Sequence, residues 1–129
     1  MSASRPVIAI VDDEELVRKA LERLLRSAEM EARVFASGAE FLTAIAEFNP
    51  DCVVLDLHMA GVSGFDVMAG LQWRFPIVVI TGHDSPENAA RALGGGAAAY
   101  LRKPVNDRAL IGAISEAIAH STMRTSSHP

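Results

Sequence analysis

Val7-Ile-Ala-Ile-Val11, Cys52-Val-Val-Leu55 and Ile77-Val-Val-Ile80 are unbroken apolar runs, and they stop at Asp12, Asp56 and Thr81. Runs of this kind, rich in β-branched residues and lacking polar alternation, read as strands buried on both faces of a parallel sheet. Helical patterns separate them. Leu16, Val17, Ala20, Leu21, Leu24, Leu25 and Ala28 recur at steps of three and four, opposite a wet side of Glu14, Arg18, Glu22, Arg23 and Arg26. Ala32-Arg-Val-Phe35 is a short second strand, and Phe41, Leu42 and Ile45 mark a helix that stops before Asn49-Pro50. A loop from His58 to Gly64 leads into a third helical face at Phe65, Met68, Ala69 and Leu71 or Gln72. Pro86 suits the first turn of a fourth helix, which Gly94-Gly-Gly96 ends. Ala99-Tyr-Leu101 is a fifth strand, and Leu110, Ile111, Ile114, Ala117 and Ile118 carry the last helix. Five strand–helix pairs in strict alternation predict an α/β fold, a parallel sheet with helices on both faces.

The chain has 129 residues, the size of one domain, which the pattern assigns to residues 1–120 with a polar, frayed tail over 121–129. That tail reads equally as the start of a linker or as a natural end. Half the residues are apolar, which rules out wholesale disorder. Sixteen acids against twelve bases give a net charge of −4, which lacks the basic footprint of a nucleic-acid binder or a polybasic membrane patch. The single cysteine, Cys52, excludes an internal disulfide framework and a cysteine-cluster zinc site, and it reads as a small buried strand residue. No apolar run approaches about 18 residues, and Met1-Ser-Ala-Ser-Arg-Pro6 lacks the apolar core of a signal peptide. A cytoplasmic domain is the expectation.

In an open α/β sheet, ligands bind outside the carboxyl ends of the strands. Strand one delivers Asp12 and Asp13 there, strand three Asp56, strand four Thr81 and strand five Lys103. Three converging carboxylates repel one another, so they must take up protons or a cation. Oxygen ligands of high charge and few protein contacts suit Mg²⁺. Mg²⁺ beside a lysine and a hydroxyl is equipment for phosphoryl transfer, with an aspartate as in-line nucleophile. Asp56, alone at the end of the central run, is the natural nucleophile, and Asp12 and Asp13 are the metal holders. Taken singly, each has a plainer reading: acids at a helix start for Asp12 and Asp13, a turn or N-cap residue for Asp56, a loop cap for Thr81, a surface lysine for Lys103.

Val11-Asp-Asp-Glu14, Val53-Val-Leu-Asp-Leu-His-Met59 with Gly64, Ile80-Thr-Gly-His83 and Tyr100-Leu-Arg-Lys-Pro104 together resemble the response-regulator receiver domain of two-component systems. The resemblance spans residues 6 to 120, and its wording is nearest to receivers of nitrogen-fixation and nitrate-type regulators. It implies a flavodoxin-like doubly wound (βα)5 fold with strand order 2-1-3-4-5. Asp56 would take a phosphoryl group from the phosphohistidine of a sensor histidine kinase or a phosphotransfer protein. Asp13, Asp56 and the backbone carbonyl of His58 would ligate Mg²⁺, with Asp12 acting through a water. Thr81 corresponds to the switch hydroxyl, Lys103 to the lysine that pairs with the phosphoryl group, and Tyr100 to the aromatic that turns inward. The bond before Pro104 is typically cis in such domains. Output would pass through the face of helix four, strand five and helix five to a downstream protein or a fused output domain, or through a phosphorylation-dependent homodimer. Such a domain transfers the phosphoryl group to itself and sheds it slowly, without being an enzyme in the ordinary sense.

The chain departs from that pattern at Ala60, where proline is usual, and at Gly94-Gly-Gly96, which loosens the end of helix four. The resemblance implies that His58 and His83 lie near the phosphoryl position, where such residues tune its survival. A zinc site there lacks a third nitrogen or sulfur ligand of suitable spacing. Tyr100 reads about equally as a core tyrosine with its hydroxyl at the edge. Two other readings share the chemistry: a small Mg²⁺-dependent phosphohydrolase with an aspartyl-phosphate intermediate, and a degenerate receiver that signals without phosphate. The first normally has a general acid two residues past its nucleophile, where this chain has His58, and a capping insertion for which no length remains. A flavin binder would need a glycine- and hydroxyl-rich phosphate loop where Asp12-Asp-Glu-Glu15 stands.

Overall fold

The computed structural model describes residues 5–72 and 74–127, with side chains described to residue 121. The first four residues and the last two, on which the reading of Met1 to Pro6 and the end of the polar tail partly fall, lie outside the described residues. Five strands alternate with five helices: β1 (Val7–Val11), α1 (Glu15–Ser27), β2 (Glu31–Phe35), α2 (Gly38–Ala44), β3 (Cys52–Asp56), α3 (Gly64–Leu71), β4 (Ile77–Thr81), α4 (Pro86–Gly94), β5 (Ala99–Arg102) and α5 (Asp107–Ser127). All strand pairs are parallel, in the order β2-β1-β3-β4-β5. The doubly wound fold expected from the alternation is therefore the fold observed.

The unalternating runs are explained by the two layers they feed. Ala9, Val11, Val53, Leu55 and Val79 pack with Phe41 of α2, Val67, Met68 and Leu71 of α3 and Ala92 of α4. Ile8, Ile10, Cys52, Val54, Val78 and Ile80 point the other way, onto Leu21 and Leu25 of α1 and Leu110, Ile114 and Ala117 of α5. Successive strand residues thus alternate faces but find a core on each, at roughly 1.5–3 kcal/mol per large side chain buried. Burial at Cys52 pushes its thiol up to about 12, so this cysteine is an inert core residue at neutral pH.

Helix ends follow local chemistry. Ser37, Ser63 and Ser85 each accept a hydrogen bond from the amide three residues on, and Ser63 with Asp66 closes a reciprocal capping box. At the far end of α4, Gly95 is the C-cap and Gly96 adopts φ 108°, so only Gly94 of the three glycines is helical. Two expectations are corrected. Leu16, read as part of the core stripe of α1, is 80% exposed, because at 3.6 residues per turn it falls on the far side of the helix from the buried Leu21 and Leu25, while Val17 in the same turn packs on the core. The backbone of α5 stays helical through Ser127 instead of fraying after residue 120, since Ser, Thr, Met and Arg carry only small helix penalties and no glycine or proline interrupts them.

Candidate functional site

The carboxyl ends of β1, β3, β4 and β5 bring Asp12, Asp13, Asp56, Thr81 and Lys103 to one rim, as the sequence places them. Asp12 and Thr81 are fully buried and Asp56 is 2% exposed, whereas Asp13 faces solvent. One oxygen from each of Asp12, Asp13 and Asp56 lies within 4.8 Å of the others. The Lys103 ammonium closes the pocket, 2.8 Å from Asp12 Oδ2, 2.8 Å from Glu14 Oε1 and 3.5 Å from Asp56 Oδ2. The peptide bond that follows it, to Pro104, is cis.

Backbone groups fix these carboxylates. The Glu14 amide donates to Asp12 Oδ1 at 2.9 Å, the His58 amide to Asp56 Oδ1 at 3.3 Å, and the Ala60 amide to Asp13 Oδ2 at 3.2 Å. That last bond uses the residue at which the chain departs from the receiver pattern, and a proline there would have no N–H to give. The guanidinium of Arg18 donates to the Asp12 carbonyl at 2.8 Å, tying α1 to the rim. Thr81 Oγ1 accepts from the His83 amide at 3.0 Å, so its hydroxyl serves the local turn as well as facing the rim.

Charge in this pocket is unevenly compensated. Burial, then repulsion from Asp12, raises Asp56 from 3.8 to about 6 against the pull of Lys103. Burial alone would lower Lys103, but the carboxylates of Asp12 and Glu14 against its ammonium and the charge of Asp56 carry it well above the usual lysine range. Asp12 Oδ2 lies beside the ammonium yet off any hydrogen-bond direction, a buried oxygen with no aligned donor. Such a pocket suits a hard cation. Three carboxylates on one side and water on the other match the oxygen-only, partly hydrated shell that Mg²⁺ prefers.

Around the mouth, the His58 and His83 rings sit 4.3 Å apart, centroid to centroid. The Tyr100 hydroxyl donates to Asp84 Oδ1 at 3.0 Å, and Arg102 lies 3.6 Å from the other oxygen of Asp84. Sequence reasoning missed Glu14, read as part of a wet helix face, and Asn88, which spans the two histidines. A concavity of about 840 Å³ lies elsewhere, beside Ile77 and Ala99 at the first residues of β4 and β5, and none of the five rim residues lines it.

The close approach of α3 to the end of β3 depends on Gly64. A β-carbon there would fall 2.5 Å from the Asp56 carbonyl oxygen and 2.7 Å from Leu57 Cα, both backbone. Gly64→Ala is therefore expected to destabilise the chain by about 3 kcal/mol, as overpacking against atoms that cannot rotate away does. Urea unfolding measures it, and a loss under about 1 kcal/mol would show that the β3–α3 loop yields freely.

An acidic rim with one lysine and one hydroxyl, at the strand ends of a 2-1-3-4-5 sheet, defines a class: small doubly wound domains with a charged site at the carboxyl edge of the sheet. Comparison with known proteins makes the assignment specific. The family model of the response regulator receiver domain matches residues 8–115, and the chain belongs to that family, as a receiver domain of the response regulators of two-component systems. It is 36% identical over 121 residues to the response regulator protein TmoT of Ectopseudomonas mendocina, covering 92% of this chain and 55% of that protein. It is 35% identical to the transcriptional regulatory protein FixJ of Azorhizobium caulinodans, covering 94% and 58% respectively. The chain thus spans little more than half the length of these relatives. A crystal structure of a response regulator receiver protein from Burkholderia phymatum superimposes with a TM-score of 0.82 at 39% identity, covering 89% of this chain and 96% of that one. No helix among the described residues is long and apolar enough to cross a membrane.

Proposed function

We propose that this receiver accepts a phosphoryl group on Asp56 from the phosphohistidine of a sensor histidine kinase or a phosphotransfer protein. The observation that carries the reading is Asp56 itself, a buried carboxylate at the end of the central strand, between two further carboxylates and one ammonium. An Asp56 oxygen attacks phosphorus, an O–P bond forms, the N–P bond of the donor breaks, and the imidazole leaves. Asp13, Asp56 and the His58 carbonyl would hold Mg²⁺, with Asp12 contributing through a water. The ion supplies charge neutralisation for the transferring oxygens. Lys103 turns from Asp12 and Glu14 toward the phosphoryl oxygens, and Thr81 Oγ1 gives up the His83 amide to bond one of them. Tyr100, at the edge of β5, then follows the β4–α4 loop inward.

The changed face of α4, β5 and α5 meets a downstream protein, a fused output domain or a second copy of the chain. Direct contact with nucleic acid or membrane is not part of this reading, and the setting is the cytoplasm. Residues 1–120 form the receiver unit, ahead of the segment 121–129. No turnover of a separate substrate is involved beyond self-phosphorylation and slow loss of the phosphoryl group.

Intact-mass spectrometry after incubation with Mg²⁺ and acetyl phosphate tests the proposal. The expected result is one added phosphoryl mass, absent without Mg²⁺ and absent in Asp56→Asn. Steady consumption of acetyl phosphate with no adduct, even when beryllofluoride is offered as a trap, would move the reading to a hydrolase. No adduct, no consumption and no Mg²⁺ binding would leave a phosphate-independent interaction module.

A further inference from the structure

Two loops meet at the mouth of the pocket, and one side chain joins them. The His58 amide touches Asp56 Oδ1 and the His83 amide touches Thr81 Oγ1, so both histidines are anchored on the oxygens of the site through their backbones. Their rings leave those anchors and meet each other at 4.3 Å with an interplanar angle of 54°. Asn88, in the first turn of α4, has its own amide held by the Ser85 cap at 3.0 Å. Its carboxamide nitrogen donates to the His83 carbonyl at 2.8 Å and lies 3.4 Å from His58 Nε2. One residue of α4 therefore spans the β3–α3 and β4–α4 loops at the two imidazoles.

Both rings are solvent-exposed, and an exposed side chain is free to rotate unless something holds it. Here the carboxamide does so, by fixing the backbone that bears one ring and meeting the other ring's nitrogen. An acyl phosphate on Asp56 is lost when water reaches phosphorus in line with the acyl oxygen. Two rings in tilted contact, carried by the residues whose amides bond Asp56 and Thr81, put bulk at the mouth of that pocket, where a water would enter.

We propose that Asn88 is a positioning residue: it fixes the His58 and His83 imidazoles as a cover over the phosphoacceptor and so lengthens the life of the phosphorylated chain. The inference rests on the reading of Asp56 as phosphoacceptor, and its test separates the two. The chain is loaded with acetyl phosphate and Mg²⁺, desalted, and followed by intact mass as the phosphoryl group is lost. Asn88→Ala keeps the backbone bond to Ser85, so α4 retains its cap. It is expected to lose the phosphoryl group about fivefold faster than wild type, equivalent to about 1 kcal/mol of barrier. His58→Ala/His83→Ala is expected to lose it at least as fast, and adding Asn88→Ala to that pair should change the rate by less than about twofold. A merely structural role for Asn88 predicts the opposite, an acceleration of the same size whether or not the rings are present. That result overturns the inference, as does a single variant within about twofold of wild type. Absence of any adduct in wild type overturns the phosphoacceptor reading and this inference with it.

Discussion

Replacing the carboxylate of the proposed phosphoacceptor by its amide, Asp56→Asn, is expected to make the metal-free chain more stable at neutral pH, by about 2 kcal/mol. Burial, with repulsion from Asp12 behind it, holds the folded carboxyl at about 6 against an ordinary value of 3.8. Between those two values the folded chain binds more protons than the unfolded one, so stability falls as pH rises through that window. Above about pH 6 the loss is complete and constant. A shift of this size, already net of the attraction to Lys103, corresponds to roughly 3 kcal/mol, less what burying the amide itself costs. Urea unfolding of the two proteins without Mg²⁺ should give curves that nearly coincide at about pH 4 and separate as pH rises to about 6. Adding Mg²⁺ should narrow the gap, because the ion favours the fold only where the carboxylate remains to meet it. Equal stability at about pH 7.5 would mean that Lys103 already cancels the burial of Asp56.

The same pocket shows how far a sequence carries and where it stops. Asp12, Asp56, Thr81 and Lys103 were legible because each directly follows, or closes, a strand that apolar patterning identifies, and a doubly wound sheet sends all such ends to one rim. The two-sided core follows from the same alternation, whereas the strand order came from the family resemblance. Glu14 was not legible as a partner of Lys103, because the two stand 89 residues apart and nothing local distinguishes Glu14 from the acids beside it. Asn88 was hidden for a related reason. A polar residue in the first turn of a helix is ordinary, and only the packing of two loops gives this one both histidines to meet.

Ala60 is the instructive middle case. Pattern alone marks it as a departure and suggests a looser loop, but the structure gives the missing proline a consequence in hydrogen bonding. The amide that a proline would lack donates to Asp13, the most exposed of the three clustered carboxylates. Leu16 errs in the other direction. It stands four residues before Ala20 and so fits a step-by-step count, yet it lies across the helix from the Leu21 and Leu25 face that meets the core.

The second large effect is expected at Lys103→Met, which keeps the length of the side chain and removes its charge. The ammonium is the single cation within 4 Å of both Asp12 and Asp56 among the described residues, and those carboxylates are essentially inaccessible to water. Removing one partner of a buried ion pair leaves an uncompensated charge, at about 3–5 kcal/mol. Because the folded lysine titrates above its ordinary 10.5, its stabilisation is fully present at neutral pH and fades only when pH rises beyond that value. The variant should therefore unfold at much lower urea than wild type at about pH 7.5, and the deficit should shrink toward about pH 4, where Asp56, held at about 6, takes up a proton instead. Mg²⁺ should restore part of the loss at neutral pH, since a divalent cation among the same three carboxylates neutralises what the ammonium no longer does. Asp56→Asn and Lys103→Met thus act in opposite directions on one electrostatic balance. Combined, they should be less destabilising than Lys103→Met alone, because the amide removes one of the two charges the methionine strands. A double variant no more stable than Lys103→Met would place the role of the lysine in its pairing with Asp12 and Glu14 and leave Asp56 out of the balance.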